Sequence, residues 1–193
     1  MTSKSATLFL TMVPPTASKE ARFWRDALIV VSGTVLLALS ARVQVPMWPV
    51  PMSMQSLAVL MLAMTLGARL SVATVAAYVV QGAVGMPVFA SGAGLAYLVG
   101  PTGGYIIGFV ALAAVTGWLS DRGWTRSFLP ALTAALVGSA VLYACGATWL
   151  AASIGFDRAV ELGVLPFLPG DLVKAALSAL AVSAAWAARR RQQ

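Results

Sequence analysis

Apolar residues in this chain come in long blocks and not in alternation. Six blocks, at about Ala27–Arg42, Met52–Leu66, Leu70–Gly85, Gly104–Ser120, Ser127–Ser153 and Gly170–Ala188, are separated by charge punctuation and by clusters of Pro and Gly. A helix needs about 20 residues to cross a bilayer, and each block comes near that length. The second and third are somewhat short, so tilting or local thinning is expected there. The blocks are rich in Leu, Val and Ala with no period-two repeat, which argues against a transmembrane β-barrel. The expected fold class is all-α, a polytopic membrane protein with six transmembrane helices in a single domain over residues 1–193.

Composition agrees. Of the 193 residues 60% are hydrophobic and only 10% are charged, against roughly 25% charged in an ordinary soluble domain. So few charges could not cover a water-exposed surface, whereas lipid tolerates an apolar exterior. The N-terminus does not read as a cleaved signal: Ala6–Val13 is a short apolar run stopped by Pro14-Pro15 and followed by Lys19, Glu20, Arg22 and Arg25. Residues 1–25 are expected to remain as a cytoplasmic tail or interfacial helix. The lone Cys145 lies within the fifth block, where a thiol packs as a small hydrophobe.

Orientation follows from Lys and Arg, which concentrate on cytoplasmic segments. With both termini inside, only Arg42, Arg158 and Lys174 of the 13 basic residues fall outside, while the acidic residues divide evenly. The net charge of +7 is then a topology signal and no sign of nucleic-acid binding. Multi-pass insertion in a bacterial-type cell membrane is expected. The first, third and fifth loops face outward; the inner loops, at Arg69 and Asp121–Trp124, are short.

The external loops hold nearly all of the motif-like sequence. In Val45–Pro51, Pro46, Pro49 and Pro51 fix φ and remove backbone donors, so neither flanking helix continues through it. A plain connector needs no more than that, and Trp48 could serve as a headgroup-belt residue. A Pro-stiffened segment carrying Trp48 and Met47 also suits a lid with an apolar underside. The loop Met86–Tyr105 is uncharged and rich in Gly. At Gly103-Gly104 it opens the fourth helix, whose free N–H groups and positive dipole end suit an anion such as a carboxylate. Gly104 and Gly108 also form a G-x-x-x-G packing face, and both readings can hold. Tyr97, Thr102, Gly103, Gly104 and Tyr105 are the candidate contacts of this loop.

The fifth loop leads into Asp171 and Lys174, which stand at i and i+3 and hence on one helix face. Ionisable residues in such a segment generally face the bundle interior and are functional hypotheses by default. The plainer alternative is a self-neutralising pair in which Asp171 caps the helix. Together the two groups offer an acceptor and a donor, as a neutral cyclic urea or amide requires. Gln55, one turn below the first loop, could contact a ligand through its amide, whereas Gln81 is expected to hydrogen-bond between helices.

What is absent narrows the function. The chain has no His, no Cys cluster and no close acidic pair, so zinc hydrolysis and most general-base chemistry lack their groups. It has no G-x-x-x-x-G-K-[ST] for ATP. No cofactor, metal or catalytic residue is expected. The alternatives weighed are a self-sufficient secondary carrier, for which no acidic residue lies deep in a block, and a non-transport membrane-assembly protein.

Four ordered motifs carry a resemblance: Val45–Gln55, Gly82–Phe89, Gly100–Tyr105 and Pro166–Lys174. Across essentially all six blocks the chain resembles the BioY family, the biotin-binding substrate components of energy-coupling-factor (ECF) vitamin transporters. The resemblance implies a subunit, not an enzyme, that binds biotin from outside and works with a membrane coupling subunit and two cytoplasmic ATPases. Position by position it places ureido-ring contacts on Asp171 and Lys174 and the motif glutamine on Gln55. Where some relatives have an asparagine before the Gly-Pro motif this chain has Ala93, and where some have an arginine after the motif tyrosine it has Ile106. Carboxylate contacts are therefore expected from the amides of Gly103 and Gly104 with Thr102 or Tyr105. The family's small-residue coupling face maps onto Thr34 and Ala38.

Overall fold

The computed structural model describes residues 7–12 and 18–192, without the side chain of Leu10. The Pro14-Pro15 stop and residues 1–6 and 13–17 of the expected N-terminal tail lie outside the described residues. A short helix α1 (Leu8–Met12) precedes α2 (Lys19–Arg42), a two-residue strand β1 (Gln44–Val45) and its partner β2 (Met52–Ser53). Then come α3 (Gln55–Leu66), α4 (Ala68–Ala83), the single turn α5 (Leu95–Leu98), α6 (Gly103–Asp121), a 3-10 turn at Trp124–Arg126, α7 (Phe128–Ile154), α8 (Phe156–Gly163) and α9 (Leu168–Arg190).

The molecule is predominantly helical, and α2, α3, α4, α6, α7 and α9 correspond to the six apolar blocks. Four of these, α2, α6, α7 and α9, are long and apolar enough to cross a membrane. The 12 residues of α3 rise only about 18 Å, well short of a hydrocarbon core of about 30 Å. Helix α2 starts at Lys19, earlier than the apolar pattern indicates, because Ser18 caps it: its hydroxyl accepts the Ala21 N–H at 3.1 Å.

The first loop is a difference from the purely helical expectation. Its prolines bar helix, and the flanking residues pair instead as an antiparallel ribbon with Gln44 opposite Ser53 and Val45 opposite Met52. Helix α8 is a second addition; Gly155, at φ 83°, makes the corner between α7 and α8.

The core runs through α3, α4, α6, α7 and α9, with Val59, Leu60, Met64, Val75, Leu112, Leu150 and Val182 buried. The most extensive helix–helix contact is α6 against α7. Gly104 and Gly108 face Trp149, Leu142 and Cys145 there, and a Cβ on Gly104 would lie inside van der Waals contact of Trp149, so small residues let the backbones approach. At the end opposite the site, Asp121 Oδ2 accepts the Ala68 N–H at 3.1 Å, tying the end of α6 to the start of α4. Arg189 Nη2 donates to the Thr11 carbonyl at 2.8 Å, so both described chain ends meet at this same end of the bundle.

Candidate functional site

The first turn of α9 meets the first turn of α3 beneath the hairpin. Pro169 occupies the opening of α9, where its missing N–H costs nothing. Asp171 and Lys174 follow on one face and are buried, 8% and 6% exposed. Asp171 does not cap the helix: the N-cap residue is Phe167, and the Asp171 N–H donates to the Phe167 carbonyl at 2.9 Å. Its carboxylate is turned into the bundle instead.

There it accepts three hydrogen bonds, from Lys174 Nζ (2.7 Å) and Ser56 Oγ (3.0 Å) on Oδ1 and from Tyr143 Oη (2.6 Å) on Oδ2. Lys174 places its other two donors on the Ser53 carbonyl (2.8 Å) and Ser56 Oγ (3.0 Å). A buried ion pair is tolerable only when its remaining donors and acceptors are met, and here the ammonium has none left over. A charged acceptor and a charged donor thus sit side by side under the hairpin, with serine and tyrosine hydroxyls as intermediaries.

This network closes one end of a cavity of about 50 Å³ walled by Val50, Pro51, Met52, Tyr105, Phe109, Leu142 and Phe167. A second cavity of about 40 Å³ shares Val50, Pro51, Ser53, Tyr105 and Phe109 with the first and continues to Gln55, Phe89, Tyr97, Thr102 and Ile106. Gln55 Nε2 donates to Tyr78 Oη at 2.7 Å, Ser53 Oγ donates to Gln55 Oε1 at 3.2 Å, and the Tyr78 hydroxyl donates to the Val88 carbonyl at 2.9 Å. Phe89 stands edge-on to Tyr78 and stacks on Tyr97, its ring centroid 5.3 Å from that of Tyr97. The Gly-rich loop therefore roofs the second cavity with aromatic rings. The hydroxyls of Tyr97 and Thr102 make no hydrogen bond among the described residues.

The structure thus brings Asp171, Lys174, Gln55, Tyr97, Thr102 and Tyr105 around two adjoining cavities. Other candidates are placed elsewhere. Trp48 is 78% exposed, and neither it nor Met47 lines either cavity; Val50 to Ser53 form the wall instead. The prolines turn the hairpin tip outward and its returning arm inward. Of the two candidate amides, the Gly103 N–H is taken by the Gly100 carbonyl at 3.0 Å, and both glycines are buried against Leu98 and Trp149. The Tyr105 hydroxyl is held by the Gly163 carbonyl at 2.7 Å, so Tyr105 offers its ring and not its proton.

Thr34 is also corrected. It is buried and accepts from Gln81 Nε2 at 3.3 Å, an interhelical bond that turns it toward α4, while Ala38 is half-buried against the core. The residues missed are Ser53, Ser56 and Tyr143. Tyr143 had a signal: a phenol within an apolar block needs a partner for its hydroxyl. Ser56 had none, since a helix can absorb a serine hydroxyl on its own backbone.

These features define a helical membrane protein that closes a small chamber, polar at one end and aromatic at the other, between its helices. The chain belongs to the BioY family, whose family model matches residues 10–191. It is 36% identical over 157 residues to the probable biotin transporter BioY of Pyrococcus horikoshii, covering 81% of this chain and 93% of that one. It is 38% identical over 149 residues to the biotin transporter BioY of Thermotoga maritima, covering 76% and 87%. Among solved structures it is similar to the S-component for biotin from an ECF-type ABC transporter, with a TM-score of 0.77 and 25% identity over 92% of this chain and 96% of that one.

Proposed function

We propose that this chain is the biotin-binding, substrate-specific subunit of an ECF-type transporter. The observation that carries the reading is the buried Asp171–Lys174 pair at the closed end of the chamber, in a chain of this family. A cyclic urea has two N–H donors and one carbonyl acceptor. Asp171 takes the donors, and Lys174 gives to the carbonyl the hydrogen bond it now gives to Ser53. The apolar walls at Phe109, Leu142 and Phe167 receive the thioether ring. The alkyl chain runs past Tyr105 into the second cavity, where Gln55, Tyr97 and Thr102 meet the carboxylate, a role Ile106 cannot fill.

A bicyclic ligand with an extended chain reaches into both cavities at once. The hairpin residues these cavities share, Val50, Pro51 and Ser53, lie on the returning arm of the Pro-rich hairpin, and its displacement joins them. The hairpin is therefore the lid, latched by Lys174 on the Ser53 carbonyl.

In this reading six helices cross the plasma membrane with both termini cytoplasmic, and the hairpin faces outward. A membrane coupling subunit and two cytoplasmic ATPases supply the energy that this chain, with no nucleotide motif, does not. Retention of labelled biotin by the purified protein in detergent tests the reading. Saturable binding that other vitamins fail to compete is expected. An affinity no better than ~1 mM, worth only about 4 kcal/mol, overturns it.

A further inference from the structure

Three observations converge on Tyr143. Its hydroxyl occupies Asp171 Oδ2 at 2.6 Å, and with Lys174 and Ser56 both on Oδ1 the carboxylate retains at most about one acceptor site out of four. On the other side of Tyr143 and Asp171 lies a third cavity of about 160 Å³, between α7 and α9, lined by Leu136, Ser139, Ala140, Leu168 and Leu172. Ser139, one of these lining residues, is only 7% exposed, and its buried hydroxyl makes no hydrogen bond among the described residues.

We infer that Tyr143 is a two-position positioning residue: it holds Asp171 in the arrangement described, and it swings into the α7–α9 cavity toward Ser139 when a ligand N–H takes its place on the carboxylate. This rests on the proposed biotin site at Asp171 and Lys174.

The geometry favours the motion. Ser139 and Tyr143 are four apart on α7 and share a face, and a long helical side chain leans back over the preceding turn, here the turn that carries Ser139. Leaving Asp171, the phenol vacates the wall of the first cavity and enters the neighbouring one between α7 and α9, which Tyr143 already lines. Its hydroxyl exchanges a carboxylate for a serine, and the orphaned Ser139 hydroxyl gains a partner. A ligand without an N–H to offer Asp171 has nothing to exchange for the Tyr143 bond, so the switch discriminates ureas and amides from thioether or alkyl carboxylates of similar size.

The sign of one substitution separates this from a fixed role. The bond Tyr143 gives up is charge-assisted, and such bonds are roughly twice as strong as the neutral bond it gains. Tyr143→Phe removes a competitor for the carboxylate and is expected to tighten the Kd for biotin roughly three- to tenfold, the scale of one net hydrogen bond. Ser139→Ala is expected to weaken it by about as much, and to change nothing when added to Tyr143→Phe. If Tyr143 instead touches ligand or merely braces Asp171, Tyr143→Phe weakens binding and the inference is overturned.

A second measurement is independent of variant stability. With 3-fluorotyrosine placed at position 143 alone, the fluorine resonance should move on saturation with biotin; an unmoved resonance overturns the switch. If the unsubstituted protein does not bind labelled biotin, the biotin reading falls and the switch with it. Binding that Tyr143→Phe weakens removes the switch alone.

Discussion

The Lys174 ammonium donates to the Ser53 carbonyl at 2.8 Å, fastening the hairpin after the first long helix to the second turn of the last one. One cation thus balances the Asp171 charge and holds the wall of the chamber. On the proposed reading this couples binding to lid movement, because a ligand carbonyl that takes the Ser53 position at Lys174 would also release the hairpin.

Removing either charge should therefore harm both binding and stability. Asp171→Asn gives up charge-assisted hydrogen bonds worth about 1.5–3 kcal/mol, so biotin affinity is expected to fall roughly 10- to 150-fold, and Lys174→Met should do the same. Each single change also leaves a buried charge without its partner, at a cost of about 3–5 kcal/mol. The double variant Asp171→Asn/Lys174→Met should unfold later than Lys174→Met alone in a thermal melt in detergent. A double variant whose losses simply add would show that the two groups do not act as a pair.

Tyr78 links the amide at the start of α3 to the Gly-rich loop, accepting from Gln55 and donating to the Val88 carbonyl. Tyr78→Phe leaves both partners unpaired in a residue that is fully buried, and about 1–3 kcal/mol of stability should be lost. The predicted readout is earlier proteolysis within residues 84–102 together with a lower melting midpoint. Cleavage that stays at the chain ends would mean the loop is held by Phe89 and Tyr97 without this bond.

Gly104 tests whether the Gly-Gly start of α6 is a packing site or an anion site. Its Cβ position is filled by Trp149, so Gly104→Ala should cost about 1–3 kcal/mol through overpacking. The cost should appear equally with and without biotin. A loss confined to the biotin-bound protein would restore the amides to a ligand role.

The physics of the sequence explains which of these features were legible beforehand. Burial of charge is expensive enough that Asp171 and Lys174, at the edge of an apolar block, had to face inward together, and they do. Gln55 and Gln81 announced themselves for the same reason, and Gln81 is bonded between helices at Thr34. The hairpin was harder to read. Its prolines show only where helix cannot continue, and which arm turns inward depends on the Gln44–Ser53 pairing, a contact across nine residues. Gly103 misled because a glycine before a helix serves an anion or a close neighbour equally well, and only the placement of Leu98 and Trp149 decides. Thr34 misled similarly: a small residue on an apolar helix marks a close approach, and here the approach is within the chain.

That last correction moves the proposed coupling contact. Helix α2 buries Gly33, Thr34, Leu37 and Ala41 against its own bundle, while Leu28, Val31, Val35 and Leu39 form an exposed stripe, each more than half exposed. A coupling subunit docking on α2 meets this stripe, so Val35→Trp should leave biotin affinity and the melting midpoint unchanged. In cells that express the coupling subunit and ATPases, the same variant should cut biotin uptake by about tenfold or more, the effect of losing ~1.4 kcal/mol of contact. Thr34→Trp should behave differently, lowering the melting midpoint because Thr34 packs within the bundle. Normal uptake by Val35→Trp would place the stripe against lipid and the coupling contact on another helix. Concentrative uptake by this chain in cells lacking every such partner would instead remove the subunit reading in favour of a self-sufficient carrier.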